Sequence, residues 1–150
     1  MKILMVCLGN ICRSPLAEGI LKYKASTNNL KWEIDSAGTS GWHSGEAPDT
    51  RSIEVAAKYG IDISKQFSRK FYGYDLEYFD IIYAMDINNY TDIVALAKNE
   101  QERSKVKLIL NELNQNNENV PDPYFGGQDG FEDVFQMLNA ACDKIILKYK

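Results

Sequence analysis

The spacing of apolar residues changes repeatedly along this chain, and each change marks an element. Ile3-Leu4-Met5-Val6 is a continuous apolar run, which predicts a strand over residues 2–7 buried on both faces. Pro15 suits a first helical position, and Leu16, Ile20 and Leu21 then recur at helical spacing. A helix is expected over 15–27, with Tyr23 and the Lys24 stem along its inner side, ended by Asn28-Asn29. Trp32 and Ile34 predict a second strand, and Ser36 to Pro48, rich in Gly and Ser, reads as a loop. A second helix is expected from Pro48 to Tyr59, with Ile53, Ala56 and Ala57 on one face and Gly60 just past its end. Residues 61–73 carry no decisive pattern. Asp80 to Ala84 predicts a third strand, Asp86 an N-cap for a helix through Ala97, and Val106 to Leu110 a fourth strand. Residues 114–130 form a long polar stretch, and loops of this length in a compact domain are usually functional or disordered. The last helix is expected from Phe131 to Tyr149, on a stripe of Val134, Phe135, Leu138, Ala141, Cys142 and Ile145.

Strands alternating with helices imply an α/β fold, a parallel sheet with helices on both faces. Right-handed crossovers and a switch point put ligands at the carboxyl ends of the strands. Cys7 ends the first strand. The 150 residues fit one domain, with no internal repeat or boundary. A net charge of −4 argues against a nucleic-acid partner. An anionic substrate must then be drawn by a local field rather than by the whole molecule. No apolar stretch is long enough to span a membrane, and the N-terminal run is too short for a secretion signal. Three cysteines make neither a disulfide framework nor a zinc pattern, so a reducing, cytoplasmic setting is the default.

Candidate chemistry concentrates in Cys7-Leu8-Gly9-Asn10-Ile11-Cys12-Arg13-Ser14, between the first strand and the first helix. A tight strand–loop–helix junction turns backbone N–H groups and the positive end of a helix dipole into one small space, which suits an oxyanion. A thiol among amide dipoles and a guanidinium is favoured as the nucleophilic thiolate. Arginine's planar fork matches two oxygens of a phosphate. Gly9 permits close backbone approach and positive φ, and Asn10 tolerates the left-handed conformation. The stretch lacks the ending of a Walker loop, and nothing local pairs the single histidine, His43, with Cys7. The residues taken alone leave a second reading open, with Cys7 a small buried hydrophobe and Arg13 a solvated charge. Asp122, held between Pro121 and Pro123, reads either as a turn residue or as a rigidly presented general acid. Trp42 and Tyr124 read either as walls for an aromatic ring or as loop residues packed on the body. Cys142 reads as core, and His43 as a residue of the pocket rim.

Cys7 to Pro15 resembles, residue for residue, the phosphate-binding loop of the low-molecular-weight protein tyrosine phosphatases. Further landmarks follow in that family's order. Asp35-Ser36-Ala37-Gly38-Thr39 with Trp42 and Gly45 is similar to its second strand and substrate-wall loop. Phe79-Asp80 and Ala84-Met85-Asp86 are similar to its third strand and following turn, and Asp122-Pro123-Tyr124 to its general-acid loop. The resemblance implies four strands in the order 2-1-3-4, with the phosphate loop after strand one. It implies hydrolysis of phosphotyrosine and aryl phosphates through a phosphocysteine on Cys7, with Arg13 binding the phosphoryl group and Asp122 as general acid and base. Substrate-binding residues would be Leu8, Gly9, Asn10, Ile11, Cys12, Ser14, Trp42 and Tyr124, with no metal or cofactor and with tyrosine-phosphorylated proteins or peptides as partners. Ser36 would brace Asn10. Two positions depart from the family. Gln66 stands where many members carry a histidine that orders the loop, and Phe125 replaces a second tyrosine in the acid loop. Relatives selective for phosphoarginine carry threonine at the position of Ile11. Arsenate reduction, on a similar loop, would need relay cysteines. A non-catalytic phosphoprotein-binding module would have no need of a nucleophile or an acid.

Overall fold

The central strand of the sheet is β1 (Lys2–Cys7), in a computed structural model that describes residues 1–150. On one side β1 pairs in parallel with β2 (Glu33–Gly38), with Cys7 opposite Gly38. On the other it pairs with β3 (Ile81–Ala84), which pairs in turn with β4 (Val106–Leu108). The order is β2-β1-β3-β4, as the resemblance implies. Six helices surround it: α1 (Arg13–Thr27), α2 (Thr50–Lys58), α3 (Asp75–Tyr78), α4 (Ile87–Val94), α5 (Glu100–Ser104) and α6 (Gln128–Tyr149). None is long and apolar enough to cross a membrane.

The unbroken apolar run of β1 serves two cores. Ile3 and Met5 join the larger core with Leu16 and Ile20 of α1 and Phe131, Phe135 and Leu138 of α6. Leu4 and Val6 face the other way, against Phe71, Leu76, Phe79 and Ile93. Burying a side chain of this size contributes roughly 1.5–3 kcal/mol. A helix cap contributes about 1 kcal/mol, so packing rather than capping fixes the sheet and its long helices. Every residue of the expected α6 stripe is buried.

Boundaries differ from expectation for identifiable reasons. α1 starts at Arg13, so Pro15 is its third residue, where its missing N–H is still a first-turn orphan. Tyr23 is half-exposed rather than on the inner side. β2 leaves Trp32 outside and continues to Gly38, into the stretch read as loop. Its small residues answer a packing demand: a Cβ at Gly38 would sit 2.7 Å from the Leu8 carbonyl oxygen. α2 begins after Asp49, which caps it, and buries Ser52, Val55 and Ala56, while Ala57 is exposed. Asp86 caps α4 as expected, accepting from Asn89 N–H at 2.7 Å, but the helix stops at Val94. The short α3 and α5 have no apolar period to announce them. β4 gives way at Ile109 to a 3-10 turn through Glu112. α6 starts three residues early through Gln128-Asp129-Gly130, where Asp129 suits a helix N-terminus. Residues 61–73 contribute one bridge, Lys70 beside Gly38.

Candidate active site

Five residues, Leu8 to Cys12, turn the chain from Cys7 at the end of β1 to Arg13 at the start of α1. Asn10 makes the turn possible at φ 56°. Gly9 does not adopt positive φ; its role is close approach, since a Cβ there would lie 3.1 Å from the His43 ring. Cys7 and Arg13 are each only 3% exposed, so Arg13 is not a solvated surface charge. The Cys7 Sγ accepts the Asn10 N–H at 3.2 Å and lies 3.0 Å from Ser14 Oγ. The N–H groups of Leu8, Gly9, Ile11 and Cys12 donate to no protein acceptor. Donors left open around a sulfur form a cradle for an anion.

Side chains behind the loop hold this shape. Asn10 Nδ2 donates to Ser14 Oγ at 2.8 Å and to Ser36 Oγ at 2.9 Å, while its Oδ1 accepts the Arg69 N–H. Ser36 donates to Glu18 Oε1 at 2.6 Å, and Lys22 pairs with the other Glu18 oxygen. This sequence sets the direction of every proton. An acceptor-only carboxylate takes the Ser36 proton, so Ser36 accepts from Asn10, as does Ser14. The Ser14 proton is then free for the Cys7 sulfur. Ser68 donates to the Gly9 carbonyl. Gln66 donates to the Pro15 carbonyl at 3.1 Å, just beyond the loop, so the ordering falls to Asn10, Ser36, Ser68 and Arg69.

Arg13 is aimed by two partners distant in sequence. Its Nη1 donates to Asp86 Oδ2 at 2.7 Å and to the Val120 carbonyl at 2.9 Å. Its Nη2 lies 4.0 Å from Asp122 Oδ2. Burial opposes the Arg13 charge, but the Cys7 sulfur and Asp86 outweigh it and raise the guanidinium pKa above its ordinary value. Burial and then the nearby Asp49 push the Cys12 thiol up to about 12, so at neutral pH it is overwhelmingly the thiol and only a small fraction is thiolate. Cys142 is fully buried under α1 and is core.

Above the sulfur lies a cavity of about 200 Å³. Cys7 and Arg13 lie at its base, Ile11 forms an apolar wall, and Asp122 with Tyr124, Trp42 and His43 rims it. Asp122 Oδ1 accepts the Tyr124 N–H at 3.1 Å, so the carboxyl is oriented by its own turn. Trp42 is 78% exposed, so it is not packed on the body. Phe125, which the sequence marks only as a departure, also lines the mouth, edge-on to Tyr124. Sequence reasoning also missed Asp86 as the Arg13 anchor, Glu18 behind Ser36, and Arg69. An acid at Glu18, inside the first helix, and an arginine in a patternless stretch gave the only signals. Nowhere do three His, Cys, Asp or Glu side chains converge to hold a metal ion. The arrangement offers a sulfur nucleophile, unpaired donors and a guanidinium for an anion, and a carboxyl poised at the open side.

The model of the family described as low molecular weight phosphotyrosine protein phosphatase matches residues 2–150. A low molecular weight phosphotyrosine protein phosphatase of Schizosaccharomyces pombe is 41% identical over 141 residues, covering 91% of this chain and 89% of that protein. The crystal structure of a protein tyrosine phosphatase from Entamoeba histolytica, with Hepes in its active site, superposes with a TM-score of 0.92 at 38% identity, covering 99% and 96%. A Drosophila arginine phosphatase superposes equally well, with a TM-score of 0.93 at 32% identity, covering 100% and 98%. Backbone likeness therefore does not distinguish a protein tyrosine phosphatase from an arginine phosphatase.

Proposed function

Since this chain belongs to the low molecular weight phosphotyrosine protein phosphatase family, we propose that residues 1–150 act as one phosphatase domain that hydrolyses phosphotyrosine and aryl phosphates through a phosphocysteine on Cys7. The observation that carries this reading is the ring of unpaired loop N–H groups around a buried thiol, with Arg13 and Asp122 facing the same cavity. The Cys7 thiolate attacks phosphorus in line, forming the S–P bond as the P–O bond to the phenol breaks. The loop amides from Leu8 to Ser14 and the Arg13 fork hold the equatorial oxygens and stabilise their charge. Asp122 gives its proton to the departing phenolate oxygen. It then takes a proton from the water that attacks the phosphocysteine, and Cys7 leaves as thiolate with the Ser14 hydroxyl donating to it. No step needs a metal or cofactor.

The walls favour a ring. A phosphotyrosine reaches the sulfur while its ring lies along Ile11 and between Trp42 and Tyr124, which suits stacking. Phosphoserine and phosphothreonine are shorter and bring no ring. Phosphoarginine is long enough, but Ile11 offers its N–H groups no acceptor, and unpaired polar groups in a pocket are costly. Tyrosine-phosphorylated proteins or peptides are thus the proposed partners. A free thiol nucleophile suits the reducing cytoplasm.

The test is kcat/KM on phosphotyrosine, phosphoarginine, phosphoserine and phosphothreonine peptides, with arsenate plus a thiol donor as a fifth arm. Phosphotyrosine should exceed phosphoserine and phosphothreonine by orders of magnitude and phosphoarginine clearly, and Ile11→Thr should narrow the last gap. Phosphoarginine preferred by the unmodified protein contradicts the wall argument. Turnover of arsenate alone contradicts the phosphatase reading.

A further inference from the structure

Arg51 lies outside the pocket, yet it is the busiest side chain between the two loops that form it. Its backbone N–H, Nε and Nη2 all donate to the Asp49 carboxylate, at 2.9, 3.0 and 2.9 Å. The same guanidinium crosses to the acid loop, where Nη2 donates to the Tyr124 carbonyl at 3.0 Å and Nη1 to the Gly126 carbonyl at 3.1 Å. Its plane rests 4.5 Å from the Phe131 ring centroid, at the start of α6. Each end of this bridge meets the proposed chemistry. The Asp49 N–H donates to the Ile11 carbonyl of the phosphate loop at 2.8 Å. Tyr124, whose carbonyl Arg51 holds, gives its own N–H to Asp122. Between Ile11 and Asp122 the path is therefore unbroken: Asp49, Arg51, Tyr124.

We propose that Arg51 is a positioning residue that fixes the Asp122 carboxyl over the phosphate loop. This rests on the reading of Asp122 as general acid. The acid loop is anchored upstream at Val120, whose N–H donates to the Met85 carbonyl and whose carbonyl accepts from Arg13, and Pro123 is buried, but beyond it the turn from Tyr124 to Gly127 is exposed, with Phe125 at 92%. Its one internal backbone bond here is Gly126 N–H to the Pro123 carbonyl. Arg51 grips carbonyls on that turn, and two fixed points restrain the turn against both translation and rotation. A lysine cannot replace it, because one ammonium cannot chelate a carboxylate and span two carbonyls in a plane. A displacement of about 1 Å at a reacting group can cost about 10²-fold in rate.

The experiment is a series of aryl phosphates graded by leaving-group pKa, read as kcat/KM, on wild type, Arg51→Ala, Arg51→Lys, Asp122→Ala and Asp122→Ala/Arg51→Ala. Inhibition by inorganic phosphate is measured on each preparation. Arg51→Ala should lose about 10- to 100-fold on phenols of pKa near 10 and little on strongly acidic phenols, with phosphate inhibition within a few-fold of wild type. Arg51→Lys should follow it, and in the Asp122→Ala background the Arg51 change should add little. A role in folding alone would lower all substrates by one factor, and that result overturns the proposal. If Asp122→Ala itself lacks leaving-group dependence, the general-acid reading fails instead. If Asp122→Ala has it and Arg51→Ala does not, only the positioning role fails.

Discussion

Arg13 Nη1 and Asp86 Oδ2 meet at 2.7 Å although 73 residues separate them in the chain. The other Asp86 oxygen caps α4 through the Asn89 N–H. One carboxylate therefore both starts a helix and aims the guanidinium at the cavity. The parallel sheet makes the meeting possible, because β1 and β3 are neighbours and both end at this edge. An arginine held on one side by Asp86 and the Val120 carbonyl presents its remaining N–H groups to an anion without first having to be ordered.

Separating the two duties of Asp86 gives a prediction. Asparagine caps helices about as well as aspartate, so Asp86→Asn should change stability by less than about 0.5 kcal/mol, whereas Asp86→Ala should cost about 0.5–2 kcal/mol. Both remove the ionic anchor of Arg13. A hydrogen bond to a charged group contributes about 1.5–3 kcal/mol, so kcat/KM should fall about tenfold or more in both. Chemical denaturation and kinetics on the same samples check this. Full activity in Asp86→Asn would mean Val120 alone aims Arg13.

A second prediction concerns oxidation. Peroxide should convert the Cys7 thiolate to sulfenic acid, and Cys12, on the same loop, can then displace hydroxide to form a disulfide. Only a thiolate attacks, and burial with Asp49 nearby holds the Cys12 thiol up to about 12. The sign follows directly. Below that value each unit of pH raises the Cys12 thiolate fraction about tenfold. The share of oxidised protein recovered by dithiothreitol should therefore rise from pH 6 to pH 9, and a Cys7–Cys12 peptide should rise with it. A recovered share that falls or stays level with pH would show that Cys12 does not resolve the sulfenic acid.

The sequence was most legible where one physical cause acts alone. The unbroken Ile3–Val6 run predicted the central strand because burial on both faces removes alternation. The α6 stripe was equally plain, since one face meets the core. Legibility failed where two demands met. Ser36-Ala37-Gly38 reads as loop because the residues are small, yet Gly38 is small because the phosphate loop lies on it, and Ser36 is there to brace Asn10. Asp86 was visible as a cap and hid its bond to Arg13, which only the fold brings near. Within the site, Cys7 to Ser14 could be read because a single local turn gathers them. Arg51, Glu18 and Arg69 could not, because nothing in the spacing of a charged residue tells a solvated side chain from one spent on a carbonyl or a buried hydroxyl.

The claim on which all else depends is that the Cys7 sulfur performs the attack, while the loop amides and Arg13 bind the anion. The most direct measurement is turnover of an aryl phosphate and affinity for phosphate or vanadate, on one preparation of Cys7→Ser. A serine hydroxyl preserves the loop's shape but is a far weaker nucleophile at neutral pH. Turnover should vanish while anion affinity stays within about tenfold of wild type, since the donors that bind the anion remain. Substantial turnover by Cys7→Ser would contradict the account.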